Sequence, residues 1–228
     1  MTVRAIVTDI EGTTSSIAFV HDVLFPYARA RLAAFVAANA ARLGDELEQV
    51  RQETHAPALD LHAAIAQLLA WHDADRKVAP LKAIQGMIWA EGYADGSLTG
   101  HLYPDAIAGL RRWHAQGVAL YVYSSGSIAA QKLLFSHTAA GDLTPLFTGY
   151  FDTTIGGKRD SGSYAEIARR LAMPGTDILF LSDVAAELAA ARQAGLAALL
   201  LARDALPEES AYPVATSFDT IFPEKAPA

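Results

Sequence analysis

Four short polar segments contain the residue types that phosphoryl transfer requires. The first, Asp9 to Thr14, holds two acids beside a glycine, and the second, Ser124 to Ser127, holds three hydroxyls and a glycine. The third, Gly156 to Arg159, supplies a lysine, and the fourth is Ser182-Asp183, with Glu187 one helical turn further on. Together they offer a carboxylate nucleophile, a second acid, hydroxyl and amide donors, and a fixed cation.

These segments follow apolar runs that alternate with helical patterns. Strands are predicted at residues 3–8, 118–123, 150–155, 178–181 and 197–201, with helices at 104–116, 127–135, 164–172 and 184–194. Such alternation is typical of an α/β fold with a doubly wound parallel sheet. In that fold, ligands bind outside the carboxyl ends of the strands, so the four segments are expected to lie together.

The stretch between the first two strands has a different character. Helical periodicity predicts helices at residues 19–42, 45–54, 59–76 and 80–93. We therefore predict an all-helical cap domain, 15–102, inserted into a core of 1–14 and 103–228 and able to close over the site. The glycines at 92, 96 and 100 suggest a hinge or a substrate-facing turn, and the tail after Pro207, with Pro213, Pro223 and Pro227, is expected to pack loosely.

The amino-acid composition of the chain excludes several classes of binding partner and cofactor. Lys and Arg number 18 against 25 Asp and Glu, giving a net charge of −7 without a basic run, which argues against nucleic acid. The absence of cysteine excludes disulfides, thiolate nucleophiles and Cys-ligated zinc, and leaves oxygen-rich sites for a hard cation such as Mg²⁺. The apolar run before Asp9 is only about five residues, far short of a signal peptide or a span of ~20, so a cytoplasmic protein without a membrane partner is expected.

Taken in order along the whole chain, the four segments resemble the four motifs of the haloacid dehalogenase-like phosphatases. Longer stretches are similar to the enolase-phosphatase family within that superfamily: DIEGTT at 9–14 with FVHDVLFPYARAR at 19–31, GYADGSLTGHLYPD at 92–105, and YSSGS at 123–127. Glu11 stands where the superfamily most often has aspartate, and this departure is itself part of the enolase-phosphatase pattern.

The resemblance implies roles for individual residues. Asp9 would be the nucleophile, forming a phospho-aspartate that water hydrolyses, and Glu11 would be the general acid and base. One Mg²⁺ would be held by Asp9, Asp183 and an oxygen of Glu11. The phosphate would be bound by the Ser124 hydroxyl and by the main-chain amides of Ser125 and Gly126. The ammonium group of Lys158 would also bind the phosphate and would serve in catalysis.

The resemblance also implies a reaction. A small-molecule substrate, 2,3-diketo-5-methylthiopentyl-1-phosphate, would be enolised and then dephosphorylated to the acireductone of methionine salvage, by an enzyme expected to be a monomer. The enolisation base stays open between two core residues and three at the end of the cap: Glu11, Lys158, His101, Tyr93 and Glu91.

Four other kinds of protein share part of this pattern. A plain magnesium-dependent phosphatase of small esters would lack the enolase step, and a dehalogenase would not need a metal site at Glu11 and Asp183. A phospho-acceptor signalling domain usually carries its aspartate on a central strand after an earlier acidic pair, whereas Asp9 follows the first strand. A binding or structural protein would not require charged groups at four strand ends.

Overall fold

The structure, a computed structural model, describes residues 3–221. Six parallel strands form one sheet in the order β3-β2-β1-β4-β5-β6. The strands are β1 Ala5–Thr8, β2 Ala119–Tyr123, β3 Gly149–Phe151, β4 Ile178–Ser182, β5 Ala197–Leu201 and β6 Val214–Ala215. The predicted doubly wound parallel sheet is confirmed. Because the strand order reverses beside β1, the site expected at such a switch point lies at its carboxyl end.

Burial explains why the central strands read as continuous apolar runs. Every residue of β1 and of β4 is buried, as expected for parallel strands covered on both faces. Helices α8, Ser161–Leu171, and α9, Ala185–Gln193, supply Tyr164, Ile167 and Leu188 to a core that also contains Val7 and Phe180. This packing holds the strand ends, and therefore the polar segments after them, in fixed positions.

The remaining helices of the chain lie close to their predicted positions. Residues 18–99 form a compact unit, and among the described residues 3–17 and 100–221 form a second one. The predicted domain boundaries at 14/15 and 102/103 stay a prediction. The helices outside α8 and α9 are α1 Ile17–Phe19, α2 Phe25–Asn39, α3 Gly44–Thr54, α4 Leu61–Asp73, α5 Ala79–Ala94, α6 Pro104–Ala115 and α7 Ile128–Ser136, with a π-helical turn at Val20–Leu24.

The helical unit is held together by its own apolar core. Leu32, Val36, Leu68 and Ile84 are fully buried there, on α2, α4 and α5. Gly92 lies inside α5, within the helix predicted at 80–93 and not in the suggested turn. A Cβ at this position would lie 2.5 Å from the hydroxyl of Tyr27, so glycine allows that close approach. Among the described residues, no helix combines the length and the apolar character that a membrane span requires.

Two predictions about the sheet unit are wrong. The strand predicted for 150–155 ends at Phe151, because the Asp152 carboxylate accepts the Thr154 N–H at 3.0 Å and turns the chain into a 3₁₀ helix. Loose packing of the tail after Pro207 is wrong for most of the described tail: residues 207–211 are exposed, but β6 pairs with β5 and Phe218 is fully buried. Pro223 and Pro227 lie outside the described residues.

Candidate active site

Asp9 lies directly after the central strand β1. Its main-chain N–H donates to the Leu181 carbonyl at 2.9 Å, which continues the pairing with β4 by one residue. Its carboxylate Oδ1 accepts the Ile10 N–H at 2.7 Å, and only 2% of the residue is exposed. The nucleophile predicted from sequence is therefore a buried carboxylate in a fixed orientation.

Lys158 connects Asp9 to a second buried acid. Its Nζ lies 2.6 Å from Asp9 Oδ1 and 2.8 Å from Glu187 Oε2 on α9, and its side chain is 10% exposed. The Ser182 hydroxyl donates to Glu187 Oε2 at 3.0 Å. Two carboxylates therefore share one ammonium group at the carboxyl ends of β1 and β4.

The main chain that carries Lys158 is fixed by hydroxyl donors. Tyr164 donates to the Lys158 carbonyl at 2.7 Å, Ser163 to the Gly157 carbonyl at 2.8 Å, and Tyr123 to the Gly156 carbonyl at 3.0 Å. Three consecutive carbonyls of the loop after β3 are thus satisfied from β2 and α8. This anchoring sets the position of the ammonium group relative to Asp9.

Glu11 and Ser124 meet across the ends of β1 and β2. The Ser124 hydroxyl donates to Glu11 Oε2 at 3.3 Å and accepts the Gly126 N–H at 3.2 Å. Ser124 is fully buried, whereas Ser125 is exposed at the start of the turn into α7. The predicted phosphate-binding segment therefore begins beside the predicted acid.

Asp183 rests against the loop that follows β1. Gly12 has φ +70°, and a Cβ at this position would lie 2.1 Å from Asp183 Oδ2. Only glycine leaves room for the carboxylate and adopts this backbone conformation without strain. The structure thus brings together Asp9, Glu11, Lys158, Asp183 and Ser124, as the sequence predicted.

The electrostatics of this cluster follow from burial and charge. Burial, and after it the charge of Asp9, raises the pKa of Glu11, of Asp183 and of Glu187. Burial alone would lower the pKa of Lys158, but the attraction of Asp9 and Glu187 outweighs it and raises that pKa. The cluster contains four carboxyl groups and one ammonium group, so it carries an excess of negative charge when all are ionised.

The donor set fits a hard divalent cation that takes water and main-chain oxygen in addition. Among the described residues, no three His, Asp or Glu side chains are grouped so that they could hold a metal ion by side chains alone. Asp9 and Asp183 nevertheless present carboxylate oxygens beside the loop of Glu11, and excess negative charge favours a cation there. Oxygen ligands completed by water are what Mg²⁺ prefers.

The three candidate bases at the end of the predicted cap have separate surroundings. His101 Nδ1 accepts the Ser16 N–H at 3.2 Å, and burial lowers its pKa. Tyr93 is 5% exposed, and burial raises its pKa. The Glu91 side chain is 62% exposed, 3.9 Å from Arg42.

Sequence reasoning gave no role to several residues of the site. Glu187 was noted four residues after Asp183, but its pairing with Lys158 depends on the fold. The sequence pattern places Tyr123 at the end of a predicted strand and in the YSSGS stretch, Ser182 before Asp183, and Tyr164 at the start of a predicted helix, without a role for their hydroxyls. The available signal was that each of them lies at a strand end or in the first turn of a helix beside one.

Comparison with known proteins agrees with this geometry. The chain belongs to the haloacid dehalogenase-like hydrolase family, which it matches over residues 3–195. More narrowly, it is 53% identical over 224 residues to Enolase-phosphatase E1 of Methylococcus capsulatus, covering 97% of this chain and 99% of the relative. The protein of the same name from Pseudomonas aeruginosa is 58% identical over 206 residues, covering 90% and 92%.

A solved structure extends the likeness to the fold. The crystal structure of the UTR4 protein of Saccharomyces cerevisiae matches with a TM-score of 0.83 at 33% identity, covering 96% of this chain and 100% of that one. The resemblance to haloacid dehalogenase-like phosphatases, and to enolase-phosphatases among them, is confirmed.

Proposed function

We propose that this chain is a bifunctional enolase-phosphatase. It would convert 2,3-diketo-5-methylthiopentyl-1-phosphate to the acireductone and phosphate, a step of methionine salvage. The observation that carries the proposal is the 2.6 Å contact between Lys158 and Asp9 at the end of the central strand, in a chain whose relatives are named Enolase-phosphatase E1. We further propose that it acts as a monomer in the cytoplasm, without nucleic-acid or membrane partners.

Asp9 would perform the phosphatase step. Its carboxylate attacks phosphorus in line, the bond to the leaving oxygen breaks, and an aspartyl-phosphate forms. Glu11 would give its proton to the leaving oxygen, and a raised pKa suits a carboxyl that must hold that proton. Glu11 would then take a proton from the water that hydrolyses the acyl phosphate, which restores both acids.

Charge on the transferred group would be stabilised from several directions. Lys158 lies within 2.6 Å of the nucleophile and offers its ammonium group. Ser124, the amides of Ser125 and Gly126, and the N-terminus of α7 would bind the phosphate oxygens. Because the charge of the transition state is spread over three oxygens, such fixed donors account for much of the catalysis.

A magnesium ion held by Asp9, Asp183 and an oxygen of Glu11 would neutralise the approaching phosphate and polarise the substrate carbonyl for enolisation. The donor set described above supports this assignment. The enolisation base would be one of the five candidates named from the sequence: Glu11, Lys158, His101, Tyr93 or Glu91.

An assay with the diketo phosphate tests the function. We expect both the ultraviolet absorbance of the enol and the release of phosphate, and the loss of phosphate release when a chelator is added. Phosphate release without the enol signal would instead identify a plain phosphatase. Trapping with a fluoride mimic of phosphate should place an adduct at Asp9. Because water attacks phosphorus and the bond between phosphorus and the Asp9 oxygen breaks, oxygen-18 from labelled water should enter the released phosphate and leave the Asp9 carboxylate unlabelled.

A further inference from the structure

Arg203, in the loop after β5, donates hydrogen bonds to a main-chain carbonyl of the loop that follows β1. Its Nε and Nη2 donate to the Thr13 carbonyl at 3.0 and 2.6 Å, and its Nη1 lies 2.6 Å from Asp105 Oδ2. The side chains of Arg203 and Asp105 are 8% and 17% exposed. Arg203 and Asp105 therefore form a largely buried ion pair, and two nitrogens of the guanidinium group donate to the same carbonyl oxygen.

Asp105 brings further segments to the same point. It lies in the first turn of α6 and accepts the Phe218 N–H at 2.7 Å and the Ser217 hydroxyl at 3.1 Å. The Arg203 guanidinium also lies 4.3 Å from the ring centroid of Tyr103. The start of α6, the loop after β5 and the segment after β6 therefore meet at the Arg203–Asp105 pair, and Arg203 connects them to Thr13.

Thr13 belongs to the tight turn that presents the site residues after β1. The amides of Thr13, Thr14 and Ser15 all donate to the Ile10 carbonyl, at 3.1, 2.9 and 2.9 Å. This turn contains Glu11, which contacts Ser124, and Gly12, which lies against Asp183. Because the turn is short and closed on one carbonyl, a restraint on Thr13 restrains the whole turn.

We propose that Arg203 is a positioning residue for the reaction, acting through the Thr13 carbonyl on the turn that carries Glu11 and Gly12. Asp105 orients the guanidinium and balances its charge. The inference rests on the proposed function, because positioning has meaning only for a reaction at this site. It gives a role to Asp105, the last residue of the stretch at 92–105 that resembles the enolase-phosphatases.

The geometry requires arginine rather than any cation. Two donors of a planar fork converge on one oxygen while a third faces a carboxylate, and a lysine offers only a point charge on a flexible stem. Arg203→Lys should therefore keep the charge but lose the fork, whereas Arg203→Met loses both.

The test compares these variants with Arg192→Met. Arg192 Nη1 also donates to a main-chain carbonyl, that of Ala211 at 3.0 Å, so this control removes a similar contact that does not involve the turn. With Mg²⁺ present, we expect Arg203→Met to lower kcat for phosphate release about 10- to 100-fold, because small misplacements are costly in catalysis. KM should change less than about threefold because Ser124 is not held by Arg203, and Arg203→Lys should recover part of kcat.

Hydrogen exchange gives a readout that does not depend on turnover. The amides of Thr13 to Ser15 should exchange faster in Arg203→Met than in the wild-type protein, and at the wild-type rate in Arg192→Met. A folded Arg203→Met with wild-type kcat and unchanged exchange in the turn would overturn the proposal. If Arg203→Met does not fold, Arg203→Lys decides, and wild-type kcat and exchange in that variant would also overturn it.

Failure of the proposed function would look different. A wild-type protein that does not turn over the diketo phosphate would refute the function. The exchange experiment would still decide whether Arg203 holds the turn.

Discussion

The helical unit and the sheet unit bury polar side chains in opposite ways. In the helical unit, all of whose residues 18–99 are described, the buried polar side chains are His72 and Gln85, whose side-chain nitrogens lie 2.9 Å apart. Burial lowers the pKa of His72, so the pair is neutral. The sheet unit instead buries Asp9 and Glu187 around the ammonium group of Lys158.

This difference indicates that the His72–Gln85 pair serves stability and the cluster around Lys158 serves chemistry. A neutral hydrogen-bonded pair satisfies buried polar atoms at little cost, and the ion pair Arg29–Asp73 of the helical unit lies at the surface with side chains 45% and 53% exposed. Clustered buried carboxyls repel one another, and such clusters are typical of functional sites. Substitutions in the sheet cluster should therefore affect turnover, and those in the helical pair should affect stability alone.

The largest expected effect is that of Asp9→Asn. The variant lacks the carboxylate that we propose as the nucleophile, so kcat should fall by a factor on the order of 10⁴ or more. The fold should persist, because removing one negative charge lessens repulsion on Glu11, Asp183 and Glu187. Phosphate release and urea unfolding measure the two quantities, with intact mass confirming that Asn has not deamidated. Wild-type turnover would reject the covalent route.

Lys158→Met should have the second largest effect on kcat. Loss of a fixed cation beside the transferred phosphoryl group should raise the activation free energy by ~2–4 kcal/mol, measured from kcat. The variant should also unfold more easily, because Asp9 and Glu187 lose the cation they share. Lys132→Met, which removes an exposed lysine from α7, serves as the control and should change neither quantity. Near-normal turnover in Lys158→Met would contradict the assignment.

Local patterns were sufficient to predict the sheet strands that carry the site. The apolar runs that end at Asp9, Ser124 and Asp183 predicted strands. Because these strands are parallel, their carboxyl ends lie at the same edge of the sheet. The pairing of Lys158 with Glu187 was not predicted, because it depends on where α9 places the Glu187 side chain relative to the loop after β3. Strand β6, two residues long, was missed because so short a segment shows no alternation. The chain around β6 is stabilised by the ion pair between Arg203 and Asp105.

The helical unit shows a second limit of pattern reading. Apolar periodicity predicted one helix over 19–42, but residues Val20–Leu24 form a π-helical turn before α2 begins at Phe25. The Phe25 N–H bonds the Val20 carbonyl, five residues back, and Pro26 has no N–H to continue the α-helical pattern at this point. Hydrophobic spacing over so few residues does not distinguish the two hydrogen-bond patterns.

Gln85→Met tests the helical side of the comparison. It removes the partner of a buried His72 nitrogen at similar volume, so the free energy of unfolding should fall by about 1–3 kcal/mol. The value of kcat should stay within about twofold, because a pair that contributes only to stability leaves transition-state binding unchanged. Gln52→Met, on the exposed surface of α3, is the matched control for loss of an amide. A fall in kcat without loss of stability would show that the helical pair serves catalysis.

The smallest expected effect concerns the pH dependence of stability, and it should have opposite signs in the two units. Burial and the charge of Asp9 raise the pKa of Glu187 above its ordinary 4.5. Between pH 4.5 and that raised pKa, the folded protein binds more protons than the unfolded chain, so stability falls as pH rises. The hydrogen bond with Arg29 lowers the pKa of Asp73 below its ordinary 3.8, so its stabilisation is lost as pH falls through that lowered pKa.

Urea unfolding in chelator across the acidic range measures both signs. The free energy of unfolding of the wild-type protein should decline relative to that of Glu187→Gln as pH rises from 4.5, because the variant has no carboxyl to deprotonate against Asp9. Relative to Asp73→Asn, it should decline instead as pH falls below 3.8. If the Glu187→Gln difference declined toward acid as well, Lys158 would outweigh burial at Glu187. The sheet cluster would then be an ordinary stabilising ion pair, and its contrast with the helical unit would disappear.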